Sequence, residues 1–136
     1  MLAIDLPRAR RLAFGVVLGQ AGVTGITALA AWALAGAGAA LSALLGGGIA
    51  TAGSLAMAAL AFAGTAAGAP RIVAAFYVGE AVMIAVIAAL FVAVLATVRV
   101  VPLAMLAGFA VTYLVYWIAL VTALPSVSGV RRGGEA

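Results

Sequence analysis

The run IVAAFYVGEAVMIAVIAALFVAVLAT, from Ile72 to Thr97, decides the class of this chain. It is apolar from end to end except for one charge, Glu80, the only acidic residue between Asp5 and Glu135. An apolar run of more than about 18 residues is long enough, as a helix, to cross a hydrocarbon layer ~30 Å thick. Counted from Ile72 at helical rise, Glu80 lies roughly 12 Å in, near the middle of that layer. An ionisable group there costs about 3 kcal/mol on insertion scales, so it marks a candidate functional site. The plainer alternative is a carboxyl that is merely tolerated, bonded to a neighbouring polar group.

The same signature repeats on both sides of this run. Leu12–Leu34, Leu41–Ala63 and Val101–Leu124 are three further apolar stretches of spanning length. Hydrophobic residues make up 68% of the chain and charged ones 7%, with a mean hydropathy of +1.38. Soluble domains carry about 25% charged residues, so this composition belongs to an integral membrane protein. The expected fold is all-α, a single membrane domain over residues 1–136. Its four transmembrane helices cover about 12–34, 41–63, 72–97 and 101–124, paired as two hairpins.

Punctuation between the runs sets the expected boundaries. Residues 1–11 form a basic lead in which Pro7 is expected to delay the first helix. That lead and the run after it resemble a signal peptide, but a signal core has about 7–15 apolar residues and Leu12–Leu34 is longer, so an uncleaved first span is expected. The small residues Gly36–Ala40 are expected to separate the first two spans, and Gly64–Pro70 the next two. Arg99 and Pro102 bracket a tight turn, and Pro125 is expected to end the fourth span. Residues 126–136, with Arg131 and Arg132, are expected to be a disordered tail.

The seven basic residues are all arginines and lie at the ends of the runs. With the N-terminus inside, Arg8, Arg10, Arg11, Arg71, Arg131 and Arg132 fall on one side of the membrane and only Arg99 on the other. The positive-inside rule therefore places both termini in the cytoplasm. The net charge of +4 fits anchoring at an anionic membrane surface, and no nucleic-acid partner is expected. The chain has no cysteine and no histidine. Disulfides and thiolate metal sites are thus ruled out, and the commonest general base is missing. With one intramembrane acid, no catalytic set can be assembled; neither an enzyme nor a cofactor or bound metal is expected.

Polar residues recur at one depth. Counted from the cytoplasmic end of each run, Gln20, Ser54, Glu80 and Tyr116 all lie about eight or nine residues in, within a few ångströms of one layer at ~1.5 Å per residue. Gln20, Thr24 and Thr27 share one face of the first span, and Thr112, Tyr113 and Tyr116 one face of the fourth. A carboxyl in hydrocarbon needs partners, and Gln20 and Tyr116 are the candidates for Glu80. Thr and Ser are expected to bond back to their own helices. Gln20 is expected to bond across helices, because its amide finds no partner in lipid. Gly15, Gly19 and Gly22 form a ridge that allows close helix approach, as do Gly46, Gly47 and Gly48 in the second span. The latter triplet is no phosphate loop, since no Gly-Lys-Ser/Thr follows it.

Gly79-Glu80 in the third span, with Phe76 before it, resembles the ATP synthase protein I family of small four-span bacterial membrane proteins. The basic N-terminus with Arg11 ahead of Gln20, the Gly46-Gly47-Gly48 stretch in the second span and the Pro102-led fourth span match as well. Some members carry Lys one turn after the acid; here that position is Met83, so no intrahelical ion pair is available. The resemblance implies an accessory protein of the F-type ATP synthase in the bacterial inner membrane, helping c-subunits insert or assemble into their ring. It implies as an alternative a divalent-cation (magnesium) supply role. One carboxyl per chain is a poor site for a hard cation wanting six oxygens, which a homo-oligomer with a ring of Glu80 would improve. A proton-carrying rotor subunit and a small transporter are weaker alternatives: the chain has four spans and no inverted repeat.

Overall fold

The computed structural model describes residues 6–63 and 69–127. They form four α-helices: α1 (Leu6–Ala35), α2 (Ala37–Ala63), α3 (Ala69–Thr97) and α4 (Pro102–Val127). Each is long and apolar enough to cross a membrane, over Arg10–Ala35, Ala37–Leu60, Val73–Thr97 and Pro102–Thr122. Among the described residues there is no strand, and the protein is an all-α membrane protein with four spans. The expected tail beyond Val127 and most of the Gly64–Pro70 connection lie outside the described residues.

Local chemistry corrects four of the expected boundaries. Pro7 does not delay α1 but sits in its first turn, where the missing N–H has no partner to lose. Pro70 stands likewise in the first turn of α3. The expected five-residue break between α1 and α2 is a single residue, Gly36, at φ +86°. Its N–H donates to the Trp32 carbonyl at 2.9 Å, ending α1 in a left-handed cap, and its carbonyl accepts from Ala40 N at 3.2 Å, opening α2. Nor does Pro125 end α4, which continues to Val127.

The turn from α3 to α4 is held from outside. Val101 precedes Pro102, and its carbonyl accepts from Met105 N at 3.0 Å. Its own N–H, one of the orphan donors at a helix start, donates to Ser42 Oγ of α2 at 2.8 Å. The Ser42 hydroxyl in turn donates a hydrogen bond to the Gly38 carbonyl at 2.7 Å.

The packing is not a pair of equal hairpins. α2 is the hub and touches the other three helices, while α4 also packs on α1. α3 packs on α2 and reaches α4 chiefly through the edge-on rings of Phe91 and Phe109, 5.0 Å apart. The buried share reflects this: 39% of the α2 span against 11% of α3. The reason lies in the glycines. A Cβ on Gly46 would strike the Met105 carbonyl of α4, and one on Gly108 of α4 would strike the Ala43 carbonyl of α2. These two backbones are therefore in direct contact. Gly47, the next residue and about 100° round the helix, faces Thr24 of α1 instead. Two turns further on, Gly53 receives α3, with its absent Cβ 2.7 Å from Ile87 Cγ1. Small residues facing different neighbours let three helices close on one.

Candidate functional site

The polar layer expected from the sequence divides into two clusters. The first lies where α1, α2 and α4 meet. Gln20 is fully buried, and its side-chain Nε2 donates to Ser54 Oγ at 2.9 Å and, more weakly, to the Thr112 carbonyl at 3.5 Å. One turn along, Thr24 donates to the Gln20 carbonyl at 2.7 Å and lies 2.8 Å from the Thr112 hydroxyl. Ser54 and Thr27 bond back to Ala50 and Val23, the behaviour expected of hydroxyls in lipid. Thr24 exceeds that expectation by also bridging to α4. The Oε1 of Gln20 is buried with no partner among the described residues.

The second cluster lies where α3 meets α2 beside α4. Gly79 is buried, and a Cβ there would come within 3.4 Å of Met57 Cγ. The Tyr116 hydroxyl reaches the same methionine, 2.9 Å from its Sδ. Glu80, next to Gly79, is half-buried and within electrostatic reach of Tyr116. Tyr116 continues a stack of rings on α4, with Phe109–Tyr113 centroids 5.5 Å apart and Tyr113–Tyr116 5.9 Å apart.

Several expectations are corrected here. Gln20 does not serve Glu80: its amide is committed to α2 and α4, and α1 does not touch α3. Thr112 does not share the tyrosines' surroundings but turns towards Thr24. Among the described residues Glu80 has no hydrogen-bonding or ion-pairing partner. The glycine ridges are only partly used within the chain. Gly46, Gly47 and Gly79 lie at helix contacts, and Gly19 is 3.7 Å from Val115 Cγ1, whereas Gly15, Gly22 and Gly48 meet none of the described residues within 4 Å. Sequence reading missed Met57, which joins Gly79 to Tyr116, and Ser42 and Gly108. For the last, the available signal was its being the one glycine in the run Val101–Leu124.

The arrangement offers one acid on the least buried helix, beside a sulfur–phenol contact and an aromatic stack, and a separate neutral hydrogen-bond node that ties three helices together. No curated protein and no solved structure matches the chain. The sequence profile of the ATP synthase I chain family does, over residues 15–110, which run from α1 into the first half of α4 and include Gln20, Thr24, Ser54, Met57, Gly79 and Glu80 but not Thr112 or Tyr116. A match over most of the chain, on four apolar helices of spanning length, makes this protein a member of the ATP synthase I chain family.

Proposed function

We propose that this protein is a non-enzymatic accessory factor of the F-type ATP synthase that binds c-subunits while their ring assembles. It would work in the bacterial inner membrane with both termini cytoplasmic. The observation that carries the reading is Glu80. A carboxyl in a membrane span is costly unless it is partnered. Here it is half-buried on the outermost helix and has no hydrogen-bond partner among the described residues. The missing partner is supplied by another subunit.

In this reading the subunit would not approach over the glycines. Gly46, Gly47 and Gly79 are occupied by this chain's own helices, so they do not form the docking face. The open surface beside Glu80 is α3 itself, with Phe76, Tyr77, Val78 and Ile84 exposed. A c-subunit helix laid along α3 would cover this strip and bring a polar group to Glu80. Gly79 then acts at one remove: Gly79→Leu would push α3 off Met57 and misplace the acid.

The test is the yield of assembled c-ring in a strain lacking the protein, complemented with variants. If Glu80 recognises its partner by hydrogen bonding, Glu80→Gln should retain much of the yield and Glu80→Ala should lose it. Equal failure of both would instead assign a titrating or cation-binding role. An unchanged ring yield on deletion, with a fall in magnesium uptake, would replace assembly by the cation-supply alternative. Orientation has its own check. Reporter fusions after residue 136 and within 64–68 should both read cytoplasmic, as the arginine distribution demands.

A further inference from the structure

A groove runs between α1 and α4 on the side of the bundle away from Glu80's helix. It is open along its outer side, holds about 400 Å³, and is lined by Arg11, Gly15 and Gly19 of α1 and by Val115, Ala119 and Thr122 of α4, among others. Its shape follows from the glycines. At Gly19 the absent Cβ would lie 3.7 Å from Val115 Cγ1, so the two helices close there. At Gly15, one turn nearer the N-terminus, no described residue lies within 4 Å, so they part. From Arg11 to Gly19 the groove is roughly 12 Å deep at helical rise, most of one leaflet's half-share of a ~30 Å hydrocarbon layer.

Its chemistry is graded along that depth. Among the described residues its one charged lining group is Arg11, at the mouth. The neighbouring Arg10 is turned elsewhere, its guanidinium 5.9 Å from the centre of the Phe14 ring. The Thr122 hydroxyl is spent on the carbonyls of Ile118 and Ala119, at 2.8 and 3.1 Å. Below them the walls are aliphatic. A cation at the interfacial end of a slot with apolar walls complements a molecule with an anionic head and a hydrocarbon tail. A transmembrane helix is the other candidate for a glycine-floored surface. A helix laid against so open a groove would leave Arg11 without an anionic partner unless it carried an acid at that height, whereas a lipid head brings the phosphate itself.

We propose that this groove is a binding site for one anionic phospholipid, its phosphate on Arg11 and one acyl chain lying over Gly15 to end against Gly19 and Val115. The bound lipid would complete the packing of α1 on α4, which otherwise meet closely only beyond Gly19. Preference for an anionic over a zwitterionic head comes from net charge at the mouth. An arginine near an anionic membrane surface is worth about fivefold in binding, which sets the expected size of the Arg11 effect.

The experiment uses the full chain in nanodiscs of equimolar phosphatidylglycerol and phosphatidylethanolamine, extracted into mild detergent and weighed by native mass spectrometry. The wild-type chain should retain one phosphatidylglycerol. Gly15→Leu fills the slot and should abolish retention, while Gly22→Leu, an equal change at another open glycine, should not. Arg11→Gln should lower retained phosphatidylglycerol about fivefold and erase the preference over phosphatidylethanolamine. Helical content by circular dichroism accompanies each variant, and Arg11→Gln, at an exposed position, carries the test should Gly15→Leu fail to fold. Retention in the bulk lipid ratio, or by Gly15→Leu at the wild-type level, overturns the proposal. A Gly15→Leu chain that changes oligomeric state with lipid retention intact assigns the surface to a second helix instead.

Discussion

Three adjacent glycines give the packing its sharpest test. Gly46→Ala, Gly47→Ala and Gly48→Ala add the same methyl group to the same helix, and the structure assigns them different outcomes. At Gly46 the new Cβ falls on the Met105 carbonyl oxygen, with the carbonyl carbon and Phe109 N both at 2.9 Å. All three are backbone atoms of α4, so no side chain can rotate clear and the helices must part. Overpacking of this kind costs typically about 1–3 kcal/mol, and an immovable obstacle puts Gly46 at the upper end. Replacing Gly by Ala in a helix returns about 1 kcal/mol. The net loss is about 2 kcal/mol, a factor near 30 in the folding equilibrium. At Gly48 nothing lies within 4 Å, so only the gain of up to about 1 kcal/mol remains. Gly47→Ala falls between them, because it meets the side chain of Thr24, which can move only by giving up its bonds to Gln20 and Thr112. The assay is reversible unfolding in mixed micelles of rising dodecyl sulfate fraction, followed by Trp32 and Trp117 fluorescence. A Gly46→Ala chain as stable as Gly48→Ala would show that α2 and α4 do not meet backbone to backbone.

Three smaller perturbations address the turns and the polar node. Gly36→Val forces a β-branched residue into the left-handed region at φ +86° and should cost about 2 kcal/mol, while Gly36→Asn should cost distinctly less in the same unfolding assay. Ser42→Ala removes the acceptor for the Val101 N–H and should cost about 1 kcal/mol, with faster hydrogen exchange at that amide as the local readout. Gln20→Met removes one good interhelical bond, worth about 0.6 kcal/mol, a second and weaker one to the Thr112 carbonyl, and with them a buried unpaired oxygen, so stability should change by less than about 1 kcal/mol; a loss of 3 kcal/mol or more would mean that Oε1 is satisfied after all.

The four spans were legible because run length alone carries them, and α1 to α4 match the four apolar stretches within a few residues apart from the helix starts near Pro7 and Pro70. Gln20 was legible for a related reason: a primary amide in hydrocarbon has no local way to bond, and the structure gives it a partner across helices. Which way Gly46, Gly47 and Gly48 face was not legible. In water one apolar stripe would show the buried side, but these helices are apolar on every face because lipid covers what the core does not. Equal depth put Gln20 and Ser54 in one layer, where they bond, but it named neither as the other's partner and offered Gln20 to Glu80, which the arrangement denies. Depth fixes height along the membrane normal and leaves the position around the bundle open. The lateral place of α3, packed mainly on α2, depends on Gly53 and Met57, whose neighbours no spacing rule names.

The hydrogen bonds of the central node also imply an order of manufacture. A chain leaves the ribosome N-terminus first, and α1 and α2 reach the membrane before α4 exists. The Gln20–Ser54 bond joins residues only 34 apart and can close within that first pair; the Thr24–Thr112 contact spans 88 and cannot. In the interval Thr24 is not stranded, since its hydroxyl already has the Gln20 carbonyl one turn below, and Ser54 has that of Ala50. Thr112 alone has no such local bond among the described residues. The last helix to be made is therefore the one with a polar group still to satisfy, and its place beside α1 and α2 satisfies it.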